Sequence, residues 1–345
     1  MARINDNALG IDPGSRNTAV AIDNTIIYRE ASAVLITREK TVEVIAAGKE
    51  AKSLEGRTPE GCTLSMPISD GAVADAELAA LMIVAAVEKA TGRRKQLEKS
   101  PVAVSMPHGA TRVEREALKQ CLAATGARHA VIVKAPVAAA IGMNLDVDKA
   151  HARLIISIGA CRSEVAVLFM GGIAACRSIR TGSEAFTDAI IRYIRRSKQL
   201  VITRETSEEI KMDMGRASRP DRPNLQQVTI RGRNSVTGKP GTAQIDEGDV
   251  YLAINGCVED ILDAIKDSLI NMPVELVNDI LESGLFLTGG GVMLAGMADA
   301  LREATALPVT LSPHPQDDTA LGLQAVASDD ALVRLLIRND SAYEV

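Results

Sequence analysis

Two short segments constrain the fold more than any other feature: "IDPGSRNTAV" at residues 11–20 and "ISIGACRSEV" at residues 156–165. Each joins one apolar strand to another through a glycine bend. Gly14 and Gly159 both follow a polar position, Asp12 and Ser157, by two residues. Such a pattern predicts a hairpin. Each hairpin opens a long stretch in which strand-like and helix-like segments alternate, which argues for an α/β class. The repetition reads as a weak internal duplication, although two unrelated hairpins would give the same signal. At 345 residues the chain is about right for two domains. The polar stretch Asp146–His151 is the best boundary.

The remaining elements follow from period and punctuation. Residues 74–92 predict a long apolar-faced helix, and "VAVSMP" a buried strand. Residues 111–126 predict an amphipathic helix capped by Thr111, with Glu114 in capping-box position and Gly126 as its stop. "AVIVKAP" reads as a strand and "VAAAIGM" as a helix. After the second hairpin, "IAACRSIR" adds a strand. Helices are expected at 183–199, 207–214, 249–272 and 274–282. A final strand, "GLFLTGGG", leads into a helix at "MADALREATA". Residues 216–241, rich in Pro, Arg, Asn and Gly, predict loops with a short strand pair.

Composition excludes several classes. A formal net charge of −5 gives no general reason to expect nucleic acid. Five irregularly spaced cysteines, none in a Cys-x-x-Cys pair, read as reduced thiols in a cytoplasmic protein. The first ten residues show no signal-peptide apolar core, and no apolar run approaches membrane-spanning length. His108, His129, His151 and His314 have no evident partners for catalysis or metal, so structural roles are expected.

Several segments, in this order, carry a family likeness: "IDPGSRNTAV", "GKEAKSLEGRTP", "ISDGAVAD", "SMPHGATRVEREA", "APVAAAIGMNL", "SIGACRSEVAV", "SIRTGSEAF", "AIIRYIRR", "TSEEIKMDMG", "LFLTGGGVMLAGM" and "TALGLQAV". The chain resembles the MreB family of bacterial actins nearly end to end. The resemblance implies an actin-like fold: two lobes, each built on a ribonuclease-H-like domain, with a nucleotide cleft between them. It places the first lobe at 1–147, with a small subdomain near 32–75. The second lobe is placed at 148–345, with a small subdomain near 184–250. It also implies homopolymeric filaments at the inner face of the cell membrane, acting in cell shape and cell-wall morphogenesis. Partners would be other copies of the chain, an orthodox MreB paralogue and the cell-wall synthesis machinery.

The resemblance assigns the first phosphate loop to Asp12, Gly14, Ser15, Arg16, Asn17 and Thr18, with Asp12 on the Mg²⁺ side. Pro13 and Arg16 depart from the family's leucine and alanine, and Pro13 removes an N–H donor. The second loop falls on Gly159, Ala160, Cys161 and Arg162. The ribose and base side falls on Glu208, Glu209, Ile210 and Lys211 and on Gly289, Gly290, Gly291 and Val292. Glu208 and Lys211 share one helix face, and by themselves would read as a solvated surface pair. Three glycines after a strand let a planar base lie against bare backbone.

The catalytic side departs from the family. Ala135 stands where the family's water-orienting glutamate stands, preceded by Lys134 in place of another glutamate. Ser157 replaces an aspartate, and Arg162 replaces a threonine. No catalytic residue is therefore assigned, and ATP hydrolysis is expected to be weak or absent. Loss of such a group typically costs about 10²–10⁴ in rate. The cleft becomes roughly six charge units more positive than the family's. ATP or ADP remains the implied ligand, but Mg²⁺ loses one of its carboxylates. Two arrangements compete for the loops. Either Arg16 and Arg162 pair with phosphates directly, or Cys161 and Arg162 fill the phosphate space. An alternative function is an active ATPase with a relocated water-positioning group, Glu164 or Glu184. A sugar-kinase-like or chaperone-like relative is a third class, disfavoured by the family-specific segments.

Residues 89–101, "KATGRRKQLEKSP", form a basic loop with Arg93, Arg94 and Lys95 and a single apolar residue, Leu97. Basic clusters attract anionic lipid at about 1 kcal/mol per charge. Without an apolar anchor, contact would be weak and salt-sensitive. A plain solvated loop fits equally.

Overall fold

The computed structural model describes residues 8–37, 42–93, 95–221, 224–270 and 272–345. Both expected hairpins form. Leu9–Pro13 pairs antiparallel with Asn17–Ile22, which pairs with Thr25–Ala31. On its other side Leu9–Pro13 runs parallel to Pro101–Met106, and that strand runs parallel to His129–Lys134. The second lobe repeats this order. Arg153–Ile158 pairs antiparallel with Ser163–Phe169, which pairs with Gly172–Ile179. Its other edge runs parallel to Leu285–Thr288 and then Val309–Leu311. The duplication legible in two loops is thus a duplication of whole sheets.

Each sheet is covered by helices whose apolar faces build its core. In the first lobe Ala76–Thr91 and Arg112–Ala124 pack on Leu9, Ile11, Val102, Val104 and Ile132. The capping box is present: the Thr111 hydroxyl accepts from the Glu114 N–H at 3.2 Å, and the Glu114 carboxylate from the Thr111 N–H at 2.6 Å. In the second lobe Ser183–Ser197, Arg204–Met214, Glu247–Ile270 and Val274–Ser283 enclose Leu154, Ile156, Val165 and Leu285. Helix Arg204–Met214 starts three residues before the expected position, because Thr203 caps it.

Between the sheets lie two further helices, Ala135–Gly142 and Asp318–Ser328. They share a core with Ala103, Val131 and Val133 of the first sheet and Ile155, Ala166 and Leu168 of the second. They touch backbone to backbone. A Cβ added at Gly322 would stand 2.7 Å from the Ala138 carbonyl carbon, and one at Gly142 would stand 2.6 Å from the Asp318 carbonyl carbon. Only glycine permits that approach. The chain then crosses back. Ala342–Glu344 pairs antiparallel with His129–Lys134 and closes the first sheet's edge. Arg115 lies 4.1 Å from the Tyr343 ring centroid, and the Lys134 ammonium reaches Asp340 at 2.9 Å. The last residues are therefore tied into the first lobe.

Each lobe also carries a three-stranded sheet. One joins Glu43–Ala47, Val34–Thr37 and Cys62–Ser65. The other joins Leu200–Val201, Gln227–Asn234 and Pro240–Asp246. The last two strands have eight and seven residues, longer than the short pair expected within 216–241. Ile230 and Ile245 are their buried residues, so the apolar alternation that marks a half-buried strand is weak.

Candidate functional site

The two hairpin bends face each other at the junction of the lobes. In the first, Asp12 and Pro13 end a strand and Thr18 lies in the next. Ser32 braces the bend: its hydroxyl donates to the Gly14 carbonyl and its N–H to the Arg16 carbonyl. Thr18 is 1% exposed and shares a hydrogen bond with the Ser32 hydroxyl at 2.9 Å. The Ser15 hydroxyl accepts from the Gly71 N–H at 2.7 Å. Both loop hydroxyls are thus used internally, while Asn17 and Arg16 remain exposed.

In the second bend the Gly159 N–H donates to the Arg162 carbonyl, giving a tight turn. The Gly159 and Ala160 carbonyls accept from the Ser183 and Glu184 N–H groups, so the bend is seated on the start of helix Ser183–Ser197. Cys161 is a free thiol of intermediate exposure. Arg162 is engaged away from the bend. Its guanidinium leaves the bend and donates to the Asp70 carbonyl at 3.0 Å, tying the second lobe to the Ile68–Ser69 and Ala72–Val73 hairpin.

Arg16 is held across the gap. Its Nη1 lies 2.5 Å from Glu184 Oε1 and 3.2 Å from Glu208 Oε2, both carried by helices of the second lobe. The Arg16 side chain is 40% exposed, so each pair contributes only about 0–1 kcal/mol. Glu208 also accepts from the Thr187 hydroxyl at 2.8 Å and pairs with Lys211 at 2.8 Å. Burial alone would raise the Glu208 pKa, but bonds from Lys211 and Thr187 and the charges of Lys211 and Arg16 outweigh it, leaving it lowered. Burial lowers the Lys211 pKa against the pull of Glu208. This is a built, largely buried pair and not a solvated surface pair.

Glu209 and Ile210 do not share that position. One step along a helix turns about 100°. Glu209 accordingly faces solvent, and Ile210 is 5% exposed within the second lobe's core. On the glycine side, Gly289 has a positive φ of 87° and donates to the Pro315 carbonyl. Gly291 packs on Ile158, and Val292 is buried. Gly290 presents an open face: the nearest atoms to a Cβ there belong to the Gln316 side chain, at 3.5 Å and beyond.

On the catalytic side, Ala135 is the first residue of its helix and is partly exposed. The two carboxylates considered as substitutes are committed. Glu164 is 6% exposed and accepts from the His108 N–H at 2.9 Å. Burial raises its pKa despite bonds from His108, Gly109 and Ser178. Glu184 is gripped by Arg16 and Arg204. Two cations counted toward the cleft charge have acidic partners. Lys134 is drawn away to Asp340 and lies 5.7 Å from the Tyr343 ring centroid, while Arg16 is neutralised by carboxylates that sequence spacing did not connect to it.

Asp12, the expected Mg²⁺-side carboxylate, is already hydrogen-bonded. Asp12 Oδ1 accepts from the Ser105 hydroxyl at 2.5 Å, and burial raises the Asp12 pKa. Ser157, opposite, offers no carboxylate. Among the described residues no group of three His, Cys, Asp or Glu side chains is placed to hold a metal ion.

In the basic loop, Arg93 and Lys95 are exposed, and Arg94 lies outside the described residues. Leu97 is 3% exposed and belongs to the first lobe's core, so it is no lipid anchor. Among the described residues no helix is long and apolar enough to cross a membrane.

The model of the family described as MreB/Mbl protein matches residues 6–334. The cell shape-determining protein MreB of Escherichia coli (strain K12) is 33% identical over 320 residues, covering 92% of each chain. The cell shape-determining protein Mbl of Bacillus subtilis (strain 168) is 30% identical over 314 residues, covering 91% of this chain and 93% of that one. Among solved structures, MreB5 of Spiroplasma citri bound to AMPPNP superposes with a TM-score of 0.85. It is 26% identical and covers 96% of this chain and 98% of that chain. The MamK double helical filament matches with a TM-score of 0.75 at 18% identity, covering 93% and 98%, a likeness of fold alone.

Proposed function

The chain belongs to the MreB/Mbl family and has its actin-like fold, and from that premise we propose that it is a filament-forming cell-shape protein whose cleft binds a nucleotide but hydrolyses it slowly or not at all. Relatives named for determining cell shape support the first part. Self-assembly is what membership of that family leads one to expect. The structures of MreB5 with AMPPNP and with ADP support a nucleotide ligand here. In this reading the ribose meets Glu208, the base lies on the open face of Gly290, and the phosphates lie between the bends at Gly14–Asn17 and Gly159–Arg162.

The observation that carries the impaired chemistry is Ala135. It stands at the start of the helix beside the cleft with a methyl group in place of a proton acceptor, and Glu164 and Glu184 are both engaged elsewhere. A water there finds no acceptor on residue 135 and no free carboxylate on Glu164 or Glu184, a loss that costs about 10²–10⁴ in rate. The chain works at the cytoplasmic face of the membrane, beside an orthodox paralogue and the cell-wall machinery.

Polymerisation with and without ATP, followed by sedimentation together with phosphate release, tests this. Filaments should form with little ATP dependence, and phosphate release should be near background. Ala135→Glu should raise release measurably. Filaments that form only with ATP, with release as fast as in an MreB relative assayed alongside, would refute the reading.

A further inference from the structure

Resting on that nucleotide-binding reading, we propose that Arg16 supplies the positive charge that the family resemblance assigns to Mg²⁺, so that the cleft takes a nucleoside di- or triphosphate free of metal. The argument begins with position. Arg16 belongs to the first bend, yet its guanidinium reaches Glu208, the carboxylate on the ribose side. It therefore spans the line that a nucleotide's phosphates follow from ribose to bend. Arg162, the other candidate, is turned to the Asp70 carbonyl.

The exchange is chemically cheap. When Arg16 turns to phosphate, Glu184 keeps Arg204 and Glu208 keeps Lys211 and the Thr187 hydroxyl. No partly buried carboxylate is left without a partner, so the usual penalty for breaking such a pair is avoided. What Arg16 gains is larger than what it leaves. A guanidinium donates two parallel N–H bonds to phosphate oxygens, a stronger contact than a half-exposed ion pair. The same geometry disfavours the metal: Asp12 is bonded to Ser105, and position 157 is a serine. The Arg16 contacts thus bridge the lobes weakly before the ligand arrives, and ligand binding replaces one bridge by another.

Isothermal titration of ADP and AMPPNP into the purified full chain, in excess EDTA and in excess MgCl₂, tests the assignment. Wild-type affinity should be nearly the same in both. Arg16→Ala should weaken binding in EDTA by about 10- to 100-fold, the worth of a charge-assisted contact. Arg16→Lys, which keeps the charge and the folded bend, should recover part of that loss. Wild-type binding that depends on Mg²⁺ overturns the inference and leaves the nucleotide-binding reading intact. Tighter binding by Arg16→Ala than by wild type overturns it too, since Arg16 would then be a plug. Absence of binding in both buffers overturns the inference together with the reading beneath it.

Discussion

The contact between the two central helices makes a prediction whose sign is unusual. Replacing glycine by alanine inside a helix normally stabilises by about 1 kcal/mol. At Gly322, in helix Asp318–Ser328, the new methyl would stand 2.7 Å from the Ala138 carbonyl carbon and 2.7 Å from the Gly142 nitrogen, and nearer still to the Ala138 carbonyl oxygen. Ordinary contact begins at 3.4 Å. The obstruction is backbone on a facing helix, so no rotamer change relieves it. Overpacking costs about 1–3 kcal/mol, and backbone obstruction puts this site at the upper end, so Gly322→Ala should lose about 2 kcal/mol net. Gly256 is the matched control. It lies within helix Glu247–Ile270, where an added Cβ meets nothing within 4 Å. Gly256→Ala should therefore gain about 1 kcal/mol. Urea unfolding of the three chains gives both values, with equal m-values expected. If Gly322→Ala is as stable as wild type, the helices part freely and the close-packing argument fails.

Other outcomes follow from single contacts. Thr111→Ala removes half of the capping box and should cost about 1 kcal/mol in the same unfolding assay. Glu164 holds its proton above the ordinary value of 4.5, because burial outweighs its bonds from His108, Gly109 and Ser178. The folded chain then binds more protons than the unfolded one, so this residue lowers stability as pH rises from 4.5 upward. In Glu164→Gln that fall should be absent, and parallel slopes for variant and wild type would count against the assignment. Sedimentation with anionic vesicles should show weak binding that disappears at about 1 M salt, where the screening length is about 3 Å. Binding that survives such salt would point to an apolar anchor.

Legibility in the sequence followed burial pattern. The capped helix after Thr111 and the amphipathic helix at Ser183 have one apolar face and one polar face, so their periods are plain, while the two hairpins are apolar runs marked by their glycine bends. Helix Asp318–Ser328 was not read from period, because it is buried between two layers and lacks a polar stripe. Strand Ala342–Glu344 is three residues long, too short for any alternation to show. In the candidate site, the positions that the resemblance marks as departures, Ala135, Ser157 and Arg162, are visible as letters. Their partners are not. Nothing in residues 11–20 shows that Arg16 reaches residues 168 and 192 positions away. Charge counting places cations without the carboxylates that hold them.

The late pairing of Ala342–Glu344 with His129–Lys134 has a consequence for synthesis. Lys134 and its partner Asp340 are 206 positions apart, about 10–40 s of translation at ordinary rates. Throughout that interval strand "HAVIVK" is an unsealed sheet edge, carrying Val131, Ile132 and Val133 with no charge or proline among them. The nascent first lobe therefore offers a template for pairing with neighbouring chains on the same polysome, and that hazard ends only when residues 342–344 emerge and pair. Chains cut short before Ala342 should inherit the open edge permanently, and self-associate through it.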